Sequence, residues 1–158
     1  MNTRLMITMS MVLLGFVANS HATEKNTTPE QIVPVPLEKS YMEGKDLTPG
    51  DTSYFDVSYL IREGKAQKFS SHTYFDGKIK VAIYESEPGK VYINSLPFDE
   101  YVHILEGRLI LTPEGGEPIE FKTGDSLIVP KGYVGTWDLP EKYREFIIIN
   151  SPTAETKD

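Results

Sequence analysis

The chain has 158 residues, 16 basic and 23 acidic side chains, a formal net charge of −7 at pH 7 and no cysteine. The acidic balance argues against nucleic acid or anionic lipid as a partner. The missing thiols exclude disulfides and a cysteine-linked lipid anchor, so apolar burial alone must hold the fold.

Residues 1–22 read as a secretory signal peptide. "MNTR" carries one positive charge, "LMITMSMVLLGFVA" is apolar or hydroxylic, and "NSHA" ends on small residues. The apolar stretch covers residues 5 to 18, short of the roughly 20 residues that a spanning helix needs. Cleavage is expected after Ala22, giving an exported protein, periplasmic or secreted. Losing Arg4 takes the basic count to 15 against 23 acidic residues, a balance of −8.

Residues 23–50 are polar and proline-punctuated. Pro29, Pro34, Pro36 and Pro49 predict an extended or partly disordered arm without regular helix, and "QIVPVPLE" is apolar enough to lie along a barrel edge. From residue 51 to 150 the pattern becomes short β-rich runs: "SYFDVSYLI", "SHTYFDGKIKVAIYES", "KVYINSL", "EYVHILEGRLILT", "PIEF", "SLIVP", "GTWDL" and "YREFIIIN". Turn residues in "REGK", "EPGK", "PEGGE", "KTGD" and "PKGY" separate them. No helical period is sustained, which predicts one all-β domain, a barrel or a sandwich. Residues 151–158 form a polar tail expected to fray.

Three landmarks occur in order: "PGKVYINSLPFDEYVHILEGRLIL", "FKTGDSLIVPKGYVGTW" and "YREFIII". Together they resemble the cupin superfamily, most closely its ureidoglycine aminohydrolase-like members, over about residues 80 to 149. The resemblance implies a double-stranded β-helix, a jelly-roll barrel of two packed antiparallel sheets. Gly107 and Gly124 would then allow sharp turns, and Pro130 with Gly132 would close a hairpin carrying the second motif.

Metal-dependent cupins hold their ion with two histidines one residue apart, a glutamate and a later histidine. By that resemblance the glutamate is Glu100, while the histidine positions hold Asn94, Leu96 and Gly135. Beyond the presequence only His72 and His103 remain. His103 is three residues from Glu100, and strand alternation sends it to the opposite face. His72 is tied to no motif and suits a loop or strand edge. No high-affinity transition-metal site and no cofactor are therefore expected, although Glu100, Asp99 and Asn94 could hold a hard divalent ion weakly.

Alternation puts Tyr133, Gly135 and Trp137 on one face, and Glu100, Val102 and Ile104 on another. Glycine at 135 is expected to leave room for a ligand. Tyr84, Tyr92 and Asn94 complete the candidate ligand set, with Glu100 the candidate acid or base if apolar walls raise its pKa. Each has a structural alternative: Trp137 as core and Glu100 as a hydrogen-bond acceptor. Arg144 could pair with an acid or attract an anion. In the resembled family a lysine often follows this arginine, whereas this chain has Glu145.

Three functions are open on these residues: binding of a small polar metabolite, an enzyme of the ureidoglycine aminohydrolase or another cupin type, and a structural module forming a homodimer.

Overall fold

The computed structural model describes residues 32–50, 60–63 and 68–150. The expected signal peptide, residues 23–31 of the arm, the run 53–59 and the tail 151–158 lie outside the described residues. One helical turn, α1 (Lys39–Met42), and eleven strands follow: β1 (Thr48–Pro49), β2 (Leu60–Glu63), β3 (Phe69–Asp76), β4 (Ile79–Ser86), β5 (Gly89–Ile93), β6 (Glu100–Glu106), β7 (Arg108–Pro113), β8 (Ile119–Lys122), β9 (Ser126–Val129), β10 (Gly135–Leu139) and β11 (Tyr143–Asn150). They form a six-stranded sheet ordered β1-β3-β4-β11-β6-β9 and a five-stranded sheet ordered β2-β5-β10-β7-β8. The strand pairs are antiparallel. This is the all-β domain expected from the short strands and their turn residues, and the two-sheet jelly roll that the cupin resemblance implies.

The two sheets meet through alternate side chains. From the first sheet come Ala82, Val102, Ile104, Val129, Tyr143 and Ile147. Ile93, Leu109, Leu111, Trp137 and Leu139 face them from the second, and all eleven are buried. Trp137 stands opposite Val91 on one neighbouring strand and Leu111 on the other, so its ring is a packing element in a two-sided layer. Burying these side chains at about 25 cal/mol per Å² stabilises a fold that has no cysteine and so no disulfide.

Gly107 turns β6 into β7 with φ of 85°, and a Cβ there would run into the Lys142 carbonyl. The close approach makes glycine necessary.

Three expectations are corrected. The prolines do not exclude helix from the whole arm: residues 37–48 contain none, and Lys39–Met42 form a single turn there. The edge strand of the arm is β1, with Pro49, whose missing N–H costs little at a sheet edge, and the described part of "QIVPVPLE" is in no strand. Pro130 and Gly132 do not close a hairpin, because β9 and β10 belong to different sheets. The turn they make, with the Tyr133 amide donating to the Pro130 carbonyl at 3.1 Å, carries the chain across the end of the barrel. The strand predicted through Leu96 stops at Ile93, and Ser95 takes a left-handed φ of 62°.

Candidate functional site

β11 lies between β4 and β6 at the centre of the larger sheet. Its alternation sends Tyr143, Glu145, Ile147 and Ile149 inward and Arg144, Phe146 and Ile148 outward. On β6 the inward set is Glu100, Val102 and Ile104, and on β4 it includes Ala82 and Tyr84. Glu145 is registered between Tyr84 and Ile104, while Glu100 is registered between Ile149 and Val129. Two carboxylates thus face one apolar interior from adjacent strands, both half-buried and so not sealed from a ligand.

Their electrostatics follow from this placement. Desolvation raises the pKa of Glu100 well above the usual carboxylate range, and the neighbouring charge of Glu145 raises it further. Desolvation also pushes Glu145 up, to about 7, against the opposing effect of a 2.7 Å hydrogen bond donated by the Tyr143 hydroxyl. Tyr143 is fully enclosed, and burial with both carboxylates nearby keeps its phenol neutral. The arrangement supplies two electrostatically coupled carboxyl groups, both held above the ordinary carboxylate range, and one hydroxyl that orients Glu145.

Removing that hydroxyl has a signed effect. In Tyr143→Phe the Glu145 carboxylate loses its donor, so its pKa rises. Stability should fall by about 1 kcal/mol or more at pH 8, where the carboxylate is charged, and by less at pH 4. Urea unfolding at the two pH values checks it, and equal losses at both would contradict the assignment.

The predicted site residues divide. Trp137 is part of the core, Tyr84 and Tyr133 pack against it, and Glu100 faces the same interior from β6. Tyr92 does not: it faces away from the inward Val91 and Ile93, and its hydroxyl reaches Glu114 Oε1 at 3.2 Å on the exposed side. Asn94 lies exposed beyond the end of β5, so the missing strand residues remove it from the lumen. Leu96 is buried in the core. Asp99 is exposed and occupied as a loop acceptor, taking the Lys131 amide at 2.9 Å. His103 shares its hydrogen bond with Ser126 on the outer face, at 2.8 Å from Nδ1. His72 stacks on Tyr41 outside the same sheet.

Gly135 is not a vacancy. Its φ is 153°, and a Cβ would run into the Thr112 carbonyl and lie 2.8 Å from Tyr133 Oη. The space expected for a ligand is filled by backbone and by that hydroxyl, which donates to the Thr136 carbonyl at 3.1 Å. A histidine has no room there on this backbone.

Glu145 and Tyr143 escaped the sequence reading as site residues. Both faces of "YREFIIIN" are apolar apart from Arg144, Glu145 and the terminal Asn150, so alternation alone gives no clear inward side. The one available signal is the departure of Glu145 from the resembled family's lysine.

Among the described residues, no group of three or more histidine, aspartate or glutamate side chains is placed to hold a metal ion. A separate groove of about 450 Å³ lies at the β6–β7 turn, lined by Glu106, Gly107, Arg108, Lys122, Thr123, Glu141 and Lys142. Its charges are largely spent on each other: Arg108 meets Glu141 at 3.0 Å and Glu120 at 3.5 Å, and Lys142 meets Glu85 at 3.1 Å.

Residues 73–145 match the family model described as the EutQ-like cupin domain. A solved protein of unknown function from Pseudomonas syringae pv. tomato is similar at 22% identity and a TM-score of 0.54, over 65% of this chain and 42% of that one. This chain thus spans less than half of that protein's length. A Salmonella typhimurium protein named for ethanolamine utilization (protein Q) is similar at 22% identity, over 54% of this chain and 70% of that one, with a TM-score of 0.47. The Clostridium difficile EutQ protein is similar at 16% identity, over 54% and 64%, with a TM-score of 0.48. No curated protein sequence matches the chain significantly. The two-sheet jelly roll is the fold of a cupin barrel, and residues 73–145 within it are similar to the EutQ-like cupin domain.

Proposed function

We propose that the chain is an exported cupin that binds a small polar metabolite between its two sheets, with Glu100 and Glu145 as recognising groups and no high-affinity transition-metal site. The supporting observation is the pair of half-buried carboxylates facing one apolar interior. A bound anion would add to their repulsion, so the favoured ligand is neutral or positively charged and hydrogen-bond donating. Sugars, ureides and amines fit this chemistry better than organic acids.

A second reading follows from the same pair. A carboxyl pushed up to about 7 is suited to take or give a proton at neutral pH, so Glu145 with Glu100 could act as general base and acid on a bound substrate. This reading keeps the ureidoglycine aminohydrolase-like class as one reaction type to assay.

Thermal-shift measurements at pH 7 with amines, ureides, sugars and organic acids test the binding reading. A neutral or cationic compound at about 100 times its Kd adds about 2.7 kcal/mol of stability, and Glu100→Gln should abolish that gain. Stoichiometric manganese, iron, nickel or zinc in protein purified without chelator, lost in Glu100→Gln, would contradict the metal-free reading. Export is tested by the N-terminal mass of secreted material: cleavage after Ala22 is expected, and an intact Met1 overturns it.

A further inference from the structure

The arm from Glu38 to Gly50 is held against the outer face of the six-stranded sheet at several points. Tyr41 stacks on His72 with ring centroids 3.5 Å apart and planes 4° from parallel. Tyr74 meets both rings edge-on, at 5.9 and 4.8 Å, and its hydroxyl donates to the Glu38 carbonyl at 2.7 Å. β1 pairs with β3, and the Gly50 amide donates to the Phe69 carbonyl at 2.9 Å. Between these anchors Gly44, at φ of 78°, rests on the Arg144 guanidinium. A Cβ there would run into Arg144 Nη1 and lie 2.8 Å from Glu85 Oε2.

Arg144 is the outward neighbour of Glu145 and is only 12% exposed. Its guanidinium joins its register partners on both adjacent strands: Nη1 to Glu85 Oε2 at 2.7 Å on β4, and Nη2 to Glu106 Oε2 at 2.8 Å on β6. Glu106 is available because the pairing of β11 with β6 shifts here: Arg144 opposes Glu106 and Glu145 opposes Ile104, so Leu105 is the extra residue of a bulge. Plain alternation from the inward Ile104 would send Glu106 inward; the bulge turns it out to Arg144. A one-residue slip at this irregular point would exchange the faces of Arg144 and Glu145.

We propose that the arm is an external clamp: by capping the Glu85–Arg144–Glu106 ion-pair row it fixes the bulge register and so aims Glu145 into the barrel interior. Tyr41, Gly44 and Arg144 are positioning residues in this device and do not enter the interior. The other ionisable groups on the face of Glu145 are Tyr143 on its own strand, Glu100 on β6, Tyr84 and Lys80 on β4, and Tyr133 from the β9–β10 connection. None of them is altered by the test below, which needs no ligand and is independent of the binding reading.

The test is the pH profile of unfolding stability between pH 4 and 9 for the full chain and for Tyr41→Ala, Tyr41→Phe and Gly44→Ala. With the clamp released, Tyr41→Ala and Gly44→Ala should move the midpoint of the stability decline by about one pH unit toward the ordinary carboxylate range. Tyr41→Phe keeps the stacked ring and should keep the wild-type midpoint. A loss of equal size at every pH with an unmoved midpoint, or no change in Tyr41→Ala, overturns the proposal. If Gly44→Ala does not fold, the two Tyr41 variants decide it.

Discussion

Replacing Gly135 with histidine should lower the unfolding stability by about 3 kcal/mol or more and should create no metal site. The position is the one at which the cupin resemblance would put a third imidazole. Its backbone here has φ of 153°, and the added Cβ meets the Thr112 carbonyl and the Tyr133 hydroxyl. A non-glycine residue in such a conformation costs about 1–3 kcal/mol, and overpacking costs a similar amount. The other ligand positions are also lost, since Asn94 lies outside the lumen and Leu96 is core. Urea unfolding and a zinc titration of the variant check both halves. Wild-type stability together with stoichiometric zinc would contradict the packing described for Gly135.

Glu145→Gln should have the opposite sign. Its carboxyl is raised from 4.5 to about 7 in the folded protein, so between these values the folded state binds more protons than the unfolded state. Stability therefore falls as pH rises through this window and is lowest once the carboxylate is charged. Glutamine removes that charge, and at pH 8 the variant should be more stable than wild type by about 1–3 kcal/mol, with little difference at pH 4. The lower end of that range allows for residual solvent at a half-buried group. Because Glu100 is raised partly by the charge of Glu145, Glu100→Gln and Glu145→Gln should together stabilise by less than the sum of the two. Chemical unfolding of the four proteins at pH 4 and pH 8 measures this. A loss of stability at pH 8 in Glu145→Gln would show that the carboxylate has a favourable partner that the pair does not supply.

The fold was legible because its signals are local. Glycines at 107 and 124 sit at left-handed turns, with φ of 85° and 92°, and the alternating runs beside them became paired strands. The inward set Glu100, Val102 and Ile104, and the outward turn of His103, needed only the period of two. The site was legible in part. Asn94 was misplaced because β5 stops at Ile93, before the left-handed Ser95, and Tyr92 because alternation puts it opposite the inward Val91 and Ile93. Gly135 was misread because an absent side chain does not show what fills its place; here it is Tyr133 folding back. Glu145 lay hidden in a strand with two apolar faces, and only the packed neighbours Tyr84, Ile104 and Tyr143 distinguish inward from outward. The bulge at Leu105 leaves no mark in composition, yet it decides whether Glu106 reaches Arg144.

The claim that Glu100 and Glu145 act as one interior pair is tested most directly by following their side-chain carboxyl carbons by NMR through a pH titration, in wild type and in each Glu→Gln variant. Both resonances should titrate above the ordinary carboxylate range, and Glu145→Gln should bring the Glu100 midpoint down by removing the neighbouring charge. Two independent titrations near 4.3, the usual glutamate value, each unmoved by the other substitution, would contradict the claim.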